Sequence, residues 1–85
     1  MTNDQIEKIV QQKNLETSTF QISFRARNSI QGMFIRTADF SELKSKNLWR
    51  IVSESSIPEY KKSKDTNLAR IFNGTEITRL SVANN

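Results

Sequence analysis

Apolar and polar residues alternate over short stretches of this 85-residue chain. Phe20, Ile22 and Phe24 are separated by single polar residues, and residues 30–36 alternate in the same way after a polar turn. A period of two places one side of a β-strand against a core and leaves the other side in solvent. The pattern therefore predicts two neighbouring strands, at residues 17–25 and 30–36, each buried on one face.

Three further stretches predict the rest of a β-rich domain. Residues 48–53 are rich in aromatic and β-branched side chains, which favour strands. Residues 67–72 and 75–82 carry apolar residues on either side of Asn73-Gly74, and an Asn-Gly pair between such runs is a strong turn signal. The sequence thus predicts a third, a fourth and a fifth strand.

The segments within and between these strands carry glycine, proline and charged residues. Gly32 lies inside the second strand, where glycine often marks the bend or close backbone approach that curls a sheet into a barrel. Residues 37–47 are polar and charged, and they predict either one helical turn or a structured loop. Residues 53–66 contain the one proline of the chain and a cluster of three lysines, and we expect a long exposed loop there.

Residues 2–14 have the pattern of a short amphipathic helix. Thr2 can cap its N-terminus, and Gln5 three positions later completes the spacing of a capping box. One stripe of the helix carries Ile6, Ile9, Val10 and Lys13. We expect this stripe to pack across the open end of the sheet, because the mixed charge of the polar face does not suit a membrane surface.

One helix followed by five short antiparallel strands is the outline of a small barrel built from a strongly bent sheet. We therefore expect a mainly β single domain over residues 1–85, with the helix at residues 2–14 and the barrel at residues 17–82. Isoleucine, leucine, valine and phenylalanine supply 22 of the 85 residues. This content suffices for folding but gives a small core, so self-association would bury further apolar surface.

Histidine and cysteine are both absent from the chain. Their absence removes the commonest metal ligands, the cysteine nucleophile and the usual general base near neutral pH. We therefore expect no enzyme, no catalytic residue, no metal site and no cofactor. No apolar run approaches the roughly 18 residues of a membrane span, and residues 1–10 lack the pattern of a signal peptide, so we expect a cytoplasmic protein.

The formal net charge of +4 is distributed unevenly along the chain. Residues 1–43 contain five basic and five acidic residues, whereas residues 44–85 contain eight basic and four acidic residues. A basic domain favours anionic partners such as nucleic acid, although basic character by itself is a weak signal.

Two stretches resemble the Sm-like family, with an outline closest to its bacterial RNA chaperones, the Hfq proteins. Residues 20–35 resemble the first two strands of that family, with its glycine in the second strand. Residues 69–80 resemble its second motif, in which isoleucine follows three residues after a glycine. The resemblance implies a homo-oligomeric ring that closes through the fourth and fifth strands and binds single-stranded RNA, as an RNA chaperone or post-transcriptional regulator does.

The resemblance also implies a set of RNA contacts: a stacking side chain near the pore, the rim of a base pocket, and a contact on the opposite face. These positions correspond to Phe40, to Asn73, Gly74 and Thr75, and to Ile30 with Gln31, respectively. Basic residues beside the turns next to these faces would meet phosphates, namely Arg25, Arg27, Lys44 and Lys46. Structural roles stay open for the same positions, since Phe40 and Ile30 could belong to the core and Asn73-Gly74 could simply form a turn.

A second class of function stays open beside RNA binding. The same small barrel, of the SH3-like or Sm-like kind, could be an oligomeric protein-interaction module with no affinity for RNA. Asn73 stands where Sm-like proteins usually have arginine, and the Lys-His pair of the Hfq proteins has no counterpart in Gly74-Thr75. These departures favour the interaction module.

Overall fold

The computed structural model describes residues 1–11 and 18–83. Three helices and five strands lie in these ranges. In chain order they are α1 (Asn3–Gln11), β1 (Phe20–Phe24), β2 (Ile30–Phe34), α2 (Phe40–Ser45), β3 (Leu48–Ser53), α3 (Ile57–Ser63), β4 (Arg70–Asn73) and β5 (Ile77–Val82). Short 3₁₀ turns are found at Glu54–Ser56, Thr66–Leu68 and Gly74–Glu76.

The five strands form one sheet in the order β4-β3-β2-β1-β5, and every neighbouring pair is antiparallel. The edge strands β4 and β5 are joined by the three residues Gly74–Glu76. This link reaches at most about 15 Å, whereas the edges of a flat five-stranded sheet lie about 19 Å apart. The sheet must therefore curve. The predicted fold class, an N-terminal helix followed by a strongly bent five-stranded antiparallel sheet, is confirmed.

One face of the sheet, called the inner face below, packs with α1 to form the main core. The buried members of this core are Ile6, Val10, Phe20, Ile22, Phe24, Phe34, Trp49, Ile51, Ile77 and Leu80. The predicted capping box of α1 is present, since Thr2 Oγ1 accepts the Gln5 N–H at 3.2 Å and Gln5 Oε1 accepts the Thr2 N–H at 3.0 Å. The predicted positions 12–14 of the helix, with Lys13, and residue 17 of the first strand lie outside the described residues.

The opposite face of the sheet is covered as well, by helix α3. A second buried cluster there consists of Met33, Ile35, Val52 and Tyr60. The prediction of a long exposed loop at residues 53–66 is therefore wrong, because this stretch contains a 3₁₀ turn and α3. Pro58 lies in the first turn of α3, where its missing N–H breaks no helical hydrogen bond. Ile57 and Tyr60, three residues apart, both pack onto this cluster.

The remaining segments differ from the prediction in detail. Residues 37–47 contain α2, so the helical alternative is correct for them. Strand β4 begins at Arg70 rather than at residue 67, because Thr66–Leu68 form a 3₁₀ turn. The turn predicted at Asn73-Gly74 is present, and it links the two edges of the sheet.

Gly32 lies where β2 and β3 approach each other closely. A Cβ atom at this position would lie 2.6 Å from Ile51 Cγ2 and 3.0 Å from the carbonyl oxygen of Val52. Real Cβ atoms essentially never come as close to another atom as the 2.6 Å to Ile51 Cγ2, and the 3.0 Å to the Val52 oxygen is tighter than most real Cβ contacts. The close approach that this glycine predicts is therefore present.

Candidate anion-binding groove

The residues predicted as RNA contacts are distributed over several parts of the surface, and the first part is the turn between β4 and β5. Asn73 Oδ1 accepts hydrogen bonds from the backbone N–H and the hydroxyl of Thr75, both at 2.9 Å. Gly74 is buried, and its N–H donates to the carbonyl oxygen of Asn47 at 2.7 Å. Arg25 Nη2 donates to the Thr75 carbonyl oxygen at 3.3 Å. This turn therefore uses its polar groups to hold its own shape.

Asn47 lies beside this turn and has a structural role that the sequence analysis missed. Its backbone is left-handed, with a φ of 60°. Its side-chain oxygen accepts the Trp49 indole N–H at 2.8 Å, and its side-chain nitrogen donates to the Met1 carbonyl oxygen at 2.9 Å. A Cβ atom on Gly74 would overlap the Asn47 amide. Asn47 thus joins the start of the chain, the start of β3 and the β4–β5 turn.

The second part of the surface surrounds Phe40 at the start of α2. Phe40 is half-buried and packs edge to face on Trp49, with ring centroids 5.9 Å apart. The Arg36 guanidinium carbon lies 4.9 Å from the Phe40 ring centroid. A base could stack on this ring only by displacing Arg36, so the structure gives Phe40 a packing role first.

Two lysines form ion pairs, Lys44 within α2 and Lys46 at the C-terminal cap of this helix. Lys44 Nζ lies 2.6 Å from Glu7 Oε2, and Lys46 Nζ lies 3.6 Å from Glu42 Oε2. A nearby carboxylate offsets the positive charge that a phosphate would otherwise meet. These two lysines are therefore weaker candidates for phosphate contacts than basic residues without an acidic partner.

A third charged contact connects α2 to β3. Arg50 Nη2 donates to Asp39 Oδ2 at 2.8 Å, and the Thr37 hydroxyl donates to the other carboxylate oxygen. The hydrogen bond from Arg50, and after it the one from Thr37, lower the pKa of Asp39 to about 2. Arg50 is consequently engaged in holding α2 in place and is not free to bind a ligand.

The third part of the surface is a concave groove of about 470 Å³ between the β1–β2 turn, the end of β3 and strand β4. The β1–β2 turn contributes Arg27, and β4 contributes Arg70 and Phe72. Ile30 and Ile51 provide apolar lining. Polar atoms come from Ser53, Ser55, Ser56 and Asn67. We call this surface the arginine groove.

The register of the sheet explains why these side chains meet. Arg70 and Phe72 are two residues apart in β4, so they point to the same face. Their partners across the sheet are Ile51 and Trp49, which belong to the main core. Both side chains of β4 therefore lie on the inner face, and both line the groove.

Aromatic rings and uncompensated charge lie together in the arginine groove. The rings of Phe24 and Phe72 stack with centroids 5.4 Å apart and an interplanar angle of 29°. The Arg27 guanidinium carbon lies 5.3 Å from the Phe24 centroid and 5.5 Å from the Phe72 centroid. Among the described residues, neither Arg27 nor Arg70 forms a salt bridge, and no Asp or Glu lines the groove.

Of the predicted contacts, Arg27 and Ile30 line the arginine groove, and Gln31 lies in a shallower depression next to it. Gln31 Nε2 donates to Gln21 Oε1 at 3.2 Å across β1 and β2. The sequence analysis missed Arg70 and Phe72. Arg70 and Phe72 are two residues apart in a predicted strand, and this spacing was the signal that places a basic side chain and an aromatic ring on one face.

Comparison of the chain with protein-family models, with curated proteins and with solved structures gives no match. The resemblance to the Sm-like family rests on the two sequence stretches at residues 20–35 and 69–80. Within residues 1–11 and 18–83, no helix is long and apolar enough to cross a membrane. The same ranges hold no group of three or more His, Cys, Asp or Glu side chains that could bind a metal ion.

Proposed function

We propose that this protein binds single-stranded RNA in the cytoplasm through the arginine groove, as an RNA chaperone or post-transcriptional regulator of the Sm-like kind. The observation that carries the proposal is the pair Arg27 and Arg70, two guanidinium groups without acidic partners beside the aromatic ring of Phe72. Guanidinium groups bind phosphate oxygens through paired N–H donors. Arg27 lies over the Phe24 and Phe72 rings, and RNA bases stack on guanidinium planes as well as on aromatic side chains.

The size and polarity of the arginine groove favour a single strand over a duplex. A groove of about 470 Å³ has room for roughly one nucleotide and none for a helix with two strands. The hydroxyl groups of Ser53, Ser55 and Ser56 and the amide of Asn67 can bond the 2′-hydroxyl of a ribose. A single-stranded RNA segment therefore matches both the shape and the donors of the groove.

The experiment compares Arg70→Gln with Arg79→Gln by fluorescence anisotropy of labelled RNA oligomers over a salt series. Both variants remove one positive charge from an exposed position on an edge strand. We expect Arg70→Gln to weaken binding and to lower the slope of log affinity against log salt by about 0.7, because one phosphate contact is lost. Equal losses in the two variants would show that net charge alone drives binding. Absence of binding to any oligomer would refute the proposed function.

A second candidate is the oligomeric protein-interaction module without RNA affinity. Ile71 on β4 and Val82 on β5 are 48% and 37% exposed, and both lie on edge strands with unpaired backbone groups. Such edges pair readily with strands of other chains. Material purified without nuclease discriminates the two functions, because an RNA-binding protein carries absorbance at 260 nm and a pure interaction module does not.

A further inference from the structure

We propose that the arginine groove takes the phosphorylated end of an RNA strand rather than a segment from its interior. This inference rests on the proposed RNA-binding function and specifies the part of the RNA that the groove holds. The chemical group it recognises is a phosphomonoester, which carries a charge of about −1.5 to −2 near neutral pH. A phosphodiester within a strand carries a single negative charge.

The charge of the groove matches the more highly charged group. Arg27 and Arg70 both line it, and neither has a carboxylate partner among the described residues. Two guanidinium groups can share the oxygens of one terminal phosphate, each through a charge-assisted pair of hydrogen bonds. An internal phosphodiester would balance only about half of this positive charge.

The surroundings of the groove also favour a strand end. The groove is bordered by the β1–β2 turn, by the end of β3 with the turn Glu54–Ser56, and by the turn Thr66–Leu68 before β4. It continues into the shallow depression that contains Gln31, because Ile30, Ser53 and Ser55 line both. We infer that the second nucleotide of the strand leaves in this direction.

The shallow depression has the opposite charge character. Glu54 lies in its wall, together with the amide groups of Gln21 and Gln31, and no basic residue lines it. A carboxylate repels phosphate and accepts hydrogen bonds from amino groups of bases. We therefore expect the terminal phosphate of the RNA to bind in the arginine groove and the edge of a base to bind in the depression.

The test measures anisotropy of fluorescein-labelled hexa-adenylate with the label opposite the end under study. One pair of oligomers differs in a 5′-phosphate against a 5′-hydroxyl, and a second pair differs in a 3′-phosphate against a 3′-hydroxyl. We expect one of the phosphorylated ends to bind about tenfold more tightly than its hydroxyl counterpart, because charge-assisted hydrogen bonds are gained. Arg70→Gln should abolish this difference, whereas Arg79→Gln should keep it.

The pH dependence of binding gives a second readout, which would not change if Arg70 had a purely structural role. The preference for the phosphorylated end should shrink between pH 7.5 and pH 5.5, because a phosphomonoester takes up its second proton near pH 6. Circular dichroism of both variants verifies that they are folded.

The outcomes separate this inference from the proposed function. Equal affinity for all four oligomers, together with weaker binding by Arg70→Gln than by the parent protein, would overturn the strand-end inference. The proposed RNA-binding function would then still hold. Competition by free adenosine monophosphate as strong as that of the phosphorylated oligomer would also overturn it, since the ligand would then be a mononucleotide. Failure of every oligomer to bind would refute RNA binding itself.

Discussion

Asp39, the residue before α2, shows how a single side chain attaches this helix to the sheet. Its carboxylate accepts hydrogen bonds from Arg50 of β3 and from Thr37, and these bonds lower its pKa to about 2. An aspartate in an unfolded chain has a pKa near 3.9. Because the pKa is lower in the folded state, the carboxylate stabilises the fold above about pH 4, and this contribution is lost as the pH falls towards about 2.

Replacing Asp39 by Asn should therefore lower stability in a pH-dependent way. We expect the parent to have the higher urea midpoint at pH 7, and the difference between parent and variant to narrow between pH 4 and pH 2. Glu59→Gln is the matched control, because Glu59 is exposed on α3 and has no salt bridge among the described residues. A difference for Asp39→Asn that stays constant down to pH 2 would contradict the role assigned to the charged carboxylate.

Helix α3 gives the sheet a second buried face. Tyr60 is 6% exposed and packs with Met33, Ile35 and Val52, which are nearly inaccessible to solvent. The neighbouring Lys61 is exposed on the other side of the helix. A protein with a small main core thus gains apolar burial from a segment that connects two strands.

Truncation of Tyr60 tests this contribution of α3. We expect Tyr60→Ala to reduce the free energy of unfolding by about 3–5 kcal/mol, because it removes a large ring from a packed cluster. Lys61→Ala should change it by less than about 0.5 kcal/mol. Urea unfolding monitored by circular dichroism measures both. If the two variants unfold alike, the second cluster does not contribute to folding stability.

The sequence predicts the strands better than the elements between them, and particular residues explain why. Phe20, Ile22 and Phe24 alternate with polar residues, so β1 follows from the pattern and is buried as predicted. Ile57 and Tyr60 bury a face of α3, but a pair of apolar residues near a proline and three lysines is too short a pattern to indicate a helix.

The candidate site depends on long-range contacts that a linear pattern does not contain. Arg27 and Arg70 lie 43 positions apart in the chain, and they share one groove only because the fold brings β4 and the β1–β2 turn to the same part of the surface. Lys44 and Lys46 looked equally suited from sequence, and their partners Glu7 and Glu42 become evident only in the fold. Charge pairing in the fold therefore separates Lys44 and Lys46 from Arg27 and Arg70.

At the scale of the whole molecule, the two edges of the sheet share two properties that favour contact with another copy. In the described part of the chain, Ile71 on β4 and Val82 on β5 are the large apolar side chains that stay exposed. Both edges also present unpaired backbone groups, and natural proteins normally cover such edges. We therefore propose that β4 of one copy pairs with β5 of the next, in a head-to-tail contact that can close into a ring.

Lysine substitutions at the two edges test the head-to-tail contact directly. We expect the parent protein to have a mass by light scattering of several times the 9.8 kDa of one chain. Ile71→Lys and Val82→Lys should each lower that mass, because each places a charge in one half of the interface. Ser41→Lys, which adds the same charge at an exposed position of α2, should leave the mass unchanged.

Mixing the two edge variants distinguishes a head-to-tail contact from a symmetric one. Val82→Lys retains an intact β4 and Ile71→Lys retains an intact β5, so an equimolar mixture should form a heterodimer through one unaltered interface. A symmetric contact between two β4 edges predicts instead that Val82→Lys stays associated by itself and that mixing adds nothing. A parent mass of 9.8 kDa at micromolar concentration would exclude both arrangements.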